Sequence, residues 1–183
     1  MDEEPKVIIR NSGLEFIRKS RNNFELAYTL ENNNLNLVDI INFDFIKLVY
    51  DLNKDMYEYT NITKISETNA KLTCVMKPFF EDLGVLQKYS YMEIHKYVEY
   101  NKITFVSTPI TTEKPDKIPK NAEHVKIKQI TSVCSIETPH KINVHNNIII
   151  HESHKIPPFL EKFLGNMLCK IFSRIKLFID KCA

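Results

Sequence analysis

Glycine is nearly missing from this chain, with three residues in 183. Loops that cradle phosphates need several glycines at fixed spacing, and neither GxGxxG nor a P-loop occurs. The G-x-S-x-G turn that presents a nucleophilic serine is missing as well. Tryptophan is absent, so the aromatic residues are Phe and Tyr alone. Charge of one sign is also lacking: 25 Lys and Arg against 23 Asp and Glu leave a net +2. That balance gives no strong field for nucleic acid, and no nucleic-acid partner is expected. No apolar run approaches the roughly 20 residues of a membrane span. The four cysteines (Cys74, Cys134, Cys169, Cys182) form no CxxC pair. The start, MDEEPKVIIR, is acidic and lacks the continuous apolar region of a secretory signal. Scattered thiols without such a signal lead us to expect a reducing, cytoplasmic setting.

What is present is a change of hydrophobic period along the chain. Segment 24–31 alternates: Phe24, Leu26, Tyr28 and Leu30 share one face, and Glu25, Thr29 and Glu31 the other. That is a half-buried strand. In 35–53, Leu37, Ile41, Phe45, Leu48 and Leu52 recur at helical steps. Asn36 is placed to cap one helix there, or the first of two short ones broken near Asn42-Phe43-Asp44. Strands are expected at 57–66 and 70–77, at 87–100 and 103–110, and at 124–138 and 140–151, each pair closing as a hairpin. A polar loop with two prolines, 111–123, separates the last two pairs. Segment 157–181 is the clearest helix, with apolar pairs from Phe159-Leu160 to Phe178-Ile179 forming one wide stripe. Ahead of Phe24, the spacing Ser12-Gly13-Leu14-Glu15 fits a capping box, so 1–23 is expected to be an N-terminal extension with a short helix.

Four of six histidines, His140, His145, His151 and His154, fall within fifteen residues of one another, along the last strand and just past it. On a strand, His145 and His151 lie six residues apart, or about 20 Å. Metal ligands bind at about 2 Å, so these two cannot share an ion. His151 and His154 alone make a weak pair, and no metal or other cofactor is expected. Asp51-Leu52-Asn53-Lys54-Asp55 begins like a calcium loop but lacks its Gly and its later Glu. Lys126 and Lys128 share a strand face, which reads as solvated. The stretch "IIIHESHKIPPFL" is then a junction at which Pro157-Pro158 turns the last strand into the final helix.

This order, together with the ending "HNNIIIHESHKIPPFLEKFLGNMLCKIFSRIKLF", resembles the START-like (helix-grip, SRPBCC) lipid-binding superfamily. The resemblance spans 24–183. Two features depart from it, the missing Trp and the extension before Phe24. It implies an α+β fold in which a curved antiparallel β-sheet wraps around a long C-terminal α-helix. It also implies non-enzymatic binding or transfer of a lipid, a sterol or another hydrophobic small molecule in a cavity between them. Candidate cavity residues on the strands are Leu72, Cys74, Met76, Met92, Ile94, Phe105, Ile148 and Ile150. Those on the helix are Phe163, Met167 and Ile171. Core packing is the plain alternative for each, although the adaptable shape of methionine suits an accommodating surface. Tyr89, Tyr91 and His95 would orient a ligand only if their face turned inward. Some relatives act as cyclases or hydrolases, but such chemistry needs an ionisable group inside, and the assigned inner faces hold almost none. An interaction scaffold with a filled core is the remaining alternative. The helix surface that carries Lys162, Lys170, Arg174, Lys176 and Lys181 could make transient membrane contact, or be the solvated back of a buried helix.

Overall fold

Two residues decide how the chain enters the fold. Ser12 and Gly13 both take left-handed backbone angles, φ 51° and 75°, the pair that a two-residue type I′ hairpin turn requires. They join β1 (Lys6–Asn11) to β2 (Leu14–Ser20), with Asn11 opposite Leu14. The capping-box reading is therefore corrected, and no helix forms there. Leu14 and Phe16 then point the same way and are fully buried. β2 pairs with β3 (Asn23–Glu31), so the segment expected as an extension supplies two strands to the sheet. The computed structural model describes residues 4–79, 84–153 and 156–182.

The helical stretch after β3 divides at Asn42 into α1 (Leu37–Ile40) and α2 (Phe43–Asp51). Asn42 Oδ1 accepts from the backbone amides of Asp44 (2.8 Å) and Phe45 (3.2 Å) and so starts α2 as a true cap. Asn36 does not cap α1, because its side chain bonds Asp39 instead. The remaining strands are β4 (Tyr57–Lys64), β5 (Asn69–Met76), β6 (Lys88–Glu99), β7 (Lys102–Pro109), the short β8 (Glu123–His124), β9 (Ile127–Thr138) and β10 (Lys141–Ile150). They form one open, curved sheet in the order β1-β2-β3-β10-β9-β7-β6-β5-β4. All pairs along it are antiparallel, and β8 adds to β6 in parallel.

The 111–123 loop is less polar in effect than in composition. Ile118 and Ala122 are buried on the outer face of β5 and β6 with Val75, Tyr89 and Tyr91. The Tyr91 hydroxyl donates to Glu113 at 2.9 Å. This loop therefore covers one outer patch of the sheet, which alternation alone had left to solvent.

The final helix, α3 (Pro158–Lys181), has 24 residues, about 36 Å at 1.5 Å per residue. It lies over β1, β2 and β3 and touches α2. Its buried positions are Glu161, Gly165, Cys169, Ile171, Ile175 and Ile179. The expected stripe is thus corrected at its ends, for Phe159 is 72% and Phe178 39% exposed. The reason is close approach. A Cβ on Gly165 would stand 2.6 Å from Phe16 Cδ1, so helix and hairpin meet where the helix is thinnest. Glu161 is buried because Arg18 on β2 binds it at 3.1 Å. At the other end, Asn32 Nδ2 donates to the carbonyls of Ile179 (2.6 Å) and Cys182 (2.7 Å), two acceptors that a helix end leaves open.

Candidate functional site

α3 rests on the β1–β3 side, so the far strands curve away from it and α2 closes part of the gap. A space of about 190 Å³ remains. Its roof is Phe45, Ile46, Val49 and Tyr50 of α2 with Leu168, Ile171 and Phe172 of α3. Its floor is the inner face of the sheet, where alternation places Leu26 and Tyr28 on β3, Met92 and Ile94 on β6, and Phe105 on β7. β9 contributes Ile130, Ser132 and Cys134. Ile127 joins them because a bulge at the Ile150–Ile127 pairing shifts the register by one residue. β10 contributes Val144, Asn146 and Ile148.

Polar groups are few and uncharged. Ser90, Ser107, Ser132, Asn146 and the tyrosines Tyr28, Tyr50 and Tyr57 reach the space, and no Asp, Glu, Lys, Arg or His does among the described residues. Burial is the main cause that pushes the phenols of Tyr28, Tyr50 and Tyr57 well above their ordinary range, so all three remain neutral. Burial likewise pushes the thiols of Cys74 and Cys134 up to about 12, with a Ser90 hydrogen bond opposing it at Cys74. Asn146 sits opposite Ser132 in the β9–β10 register. It is 6% exposed, and its Nδ2 has no partner at full hydrogen-bonding distance among the described residues, with only a weak contact to the Tyr28 hydroxyl that opposes the rise of that phenol's pKa.

Of the residues singled out from the sequence, Leu72, Met92, Ile94, Phe105, Ile148 and Ile171 border this space. Cys74, Met76, Ile150, Phe163 and Met167 do not. Cys74 is buried beside Tyr50 and Tyr57. Phe163 instead meets Phe79, with ring centroids 5.7 Å apart. Met167 is displaced by the rotation of α3, which presents Leu168 and Phe172 in its place. Tyr89 and Tyr91 face outward beneath the 111–123 loop. Sequence reasoning missed Tyr28 and Asn146. Asn146 shares strand parity with Val144 and Ile148, and that parity was the available signal.

The histidines disperse to separate partners. His140 bonds the Leu35 carbonyl (2.7 Å), His145 meets Glu25 (3.4 Å) and His151 bonds Ser153 Oγ (2.8 Å). His154 lies outside the described residues. Among the described residues, no three His, Cys, Asp or Glu side chains gather as a metal would need. The basic surface of α3 is partly occupied. Arg174 makes a bidentate pair with Asp55, Lys170 lies 3.6 Å from the same carboxylate, and Lys176 donates to the Thr29 carbonyl. No helix among the described residues is long and apolar enough to cross a membrane.

A curved antiparallel sheet gripping a long terminal helix over an apolar space defines the START-like, helix-grip class of fold. No family model matches the chain, and no curated protein matches it. Solved structures do. The human StarD13 (DLC2) lipid transfer and protein localization domain aligns with a TM-score of 0.74 at 8% identity, over 98% of this chain and 91% of that one. Human StAR-related lipid transfer protein 5 aligns at 0.66 and 12% identity, over 96% and 86%. The STAR-related lipid transfer protein from Xanthomonas axonopodis aligns at 0.66 and 12%, over 95% of this chain and 96% of its fragment. At these identities the likeness is one of fold, and this chain has the START-like fold.

Proposed function

We propose that the chain is a non-enzymatic binder or carrier of a hydrophobic molecule, held between α3, α2 and the inner face of the sheet. The observation that carries this reading is an apolar space of about 190 Å³ with no Asp, Glu, Lys, Arg or His among its described lining side chains. Size narrows the occupant. An apolar cavity of about 150 Å³ takes a molecule as large as benzene, and drug-sized ligands fill about 300–1,000 Å³. The space as it stands fits a small ring system or part of one acyl chain, and a whole phospholipid requires α3 or α2 to move outward. An acid–base enzyme on this scaffold would have only the phenols of Tyr28, Tyr50 and Tyr57 and the thiol of Cys134 to use among the described lining residues, and burial holds all four in their neutral forms. If the ligand comes from a bilayer, exposed Lys162 and Lys181 are the α3 cations best placed for transient membrane contact.

Leu168→Trp tests the reading, because Leu168 borders the space from α3. In a carrier, the ring occupies ligand volume, so binding of a fluorescent lipid or sterol analogue is lost while stability barely changes. In a filled scaffold, the same ring overpacks the core and costs about 1–3 kcal/mol. Destabilisation in the variant, together with no binding by the wild type, refutes the carrier. Native mass spectrometry of the gently purified protein gives the complementary answer, since a copurified ligand appears as added mass.

A further inference from the structure

The apolar space contains one feature that an apolar ligand alone does not explain. Asn146 projects from the middle of β10 into the lining, flanked on its own strand face by Val144 and Ile148. Its side chain is almost wholly buried, and Nδ2 has no acceptor at full hydrogen-bonding distance among the described residues; a weak contact to the Tyr28 hydroxyl leaves donor capacity unused. Buried donors are nearly always paired, and leaving one unpaired costs stability that a hydrocarbon side chain of similar shape would not. The neighbours are arranged to support a polar contact. Ser132 is the direct cross-strand neighbour on β9, and Tyr28 lies diagonally across on β3, where the Asn146 amide bonds its hydroxyl weakly and opposes the rise of its pKa. Ser107, on the next strand, also lines the space. These groups share one property: none carries a charge. A carboxylate or ammonium would lose its hydration on entry and find no opposite charge to replace it.

We propose that Asn146 Nδ2 donates a hydrogen bond to an uncharged acceptor oxygen, a carbonyl or a hydroxyl, of an otherwise apolar ligand. The site then selects neutral molecules with one buried oxygen over both hydrocarbons and carboxylates. This inference rests on the carrier reading above and deepens it by naming the ligand's polar chemistry.

Indane and 2-indanone are matched in ring size and differ by one carbonyl, and indane-2-carboxylate supplies the charged arm. Dissociation constants for the three are measured by ligand-observed NMR on the wild type and on Asn146→Leu. The 2-indanone-to-indane affinity ratio is expected to fall about tenfold in the variant, the size of one neutral buried hydrogen bond. The variant's melting temperature should rise by about 2–4 °C, because it no longer buries an amide with donor capacity unused. A purely structural asparagine would instead lower it. In the wild type, the Asn146 side-chain amide protons should shift on addition of 2-indanone and not of indane, a readout that does not depend on the variant folding. An unchanged ratio with both neutral ligands bound overturns the inference and leaves the carrier standing, as does tighter binding of the carboxylate. Binding of none of the three overturns both.

Discussion

Adding one methyl group at Gly165 should destabilise the domain, although alanine is the better helix former. In an open helix position the change to alanine gains about 0.8–1.0 kcal/mol. Here the new Cβ would lie 2.6 Å from Phe16 Cδ1 and 2.8 Å from Ile9 Cδ1. Carbon atoms prefer about 3.5–4.0 Å, so something must retreat by about 1 Å. Ile9 can yield, since Cδ1 is the end of a flexible chain. Phe16 cannot yield easily. It is 1% exposed and stacked on Phe24 with ring centroids 5.5 Å apart and planes within 3°. Overpacking of this kind costs about 1–3 kcal/mol. The expected balance is a loss of about 1 kcal/mol, or about 2–4 °C in Tm for a chain of this size. Urea unfolding at constant m-value measures it. Ile9→Val removes the second clashing atom, so Gly165→Ala should cost less in that background, with a coupling of about 0.5 kcal/mol or more. A Gly165→Ala protein more stable than wild type, by the full helix-propensity gain, would show that helix and hairpin do not meet this closely.

Acid should expose the Arg174–Asp55 pair. Hydrogen bonding from Arg174, then the Arg174 and Lys170 charges, hold the Asp55 carboxyl well below its usual range against some desolvation. A depressed folded-state pKa stabilises above the unfolded value of about 3.9 and is lost as pH falls below it. The advantage of wild type over Asp55→Asn should therefore be full near pH 6 and shrink steadily below about pH 4; urea midpoints that differ equally at pH 6 and pH 2.5 would contradict this. Thiol reactivity should be graded: at pH 8, Cys182 reacts with Ellman's reagent in the folded state, while Cys74, Cys134 and Cys169, all buried with raised pKa values, wait for opening. Cys134 borders the ligand space, so modification of Cys134 as fast as Cys182, followed by mass spectrometry, would mean that the space is already open to water.

Regular alternation made β3 and β10 legible, and pairing by hairpins followed from short polar turns between apolar runs. The antiparallel sheet and its terminal helix were readable for that reason. The first 23 residues were not, because Ser-Gly followed by Glu satisfies two local grammars. One is a helix cap and the other a type I′ turn, and only the φ angles of Ser12 and Gly13 separate them. The α3 face was misjudged for a different reason. Hydrophobicity marks Phe159, Phe163 and Met167, but close packing selected Gly165 and Cys169, where smallness lets the helix approach. That rotation moved Met167 off the space and brought in Leu168 and Phe172. Asn146 escaped notice because one polar residue within an apolar strand face looks like noise until its burial is known. Cover by the 111–123 loop was hidden because Ile118 and Ala122 are isolated apolar residues with no period to betray them.

The contact between the first hairpin and the last helix also sets a clock. Arg18 and Glu161 stand 143 positions apart, and Asn32 and Ile179 stand 147 apart. During synthesis at roughly 5–20 residues per second, the wait between the two partners is on the order of ten seconds. Through that interval Leu14, Phe16 and Phe24 have no helix to cover them, and β1 and β2 are an apolar ribbon with open edges. Pairings so distant in sequence also predict slow refolding in vitro, with aggregation as its competitor. The separation of 143 residues between Arg18 and Glu161 thus makes the first hairpin wait for the helix that seats on it.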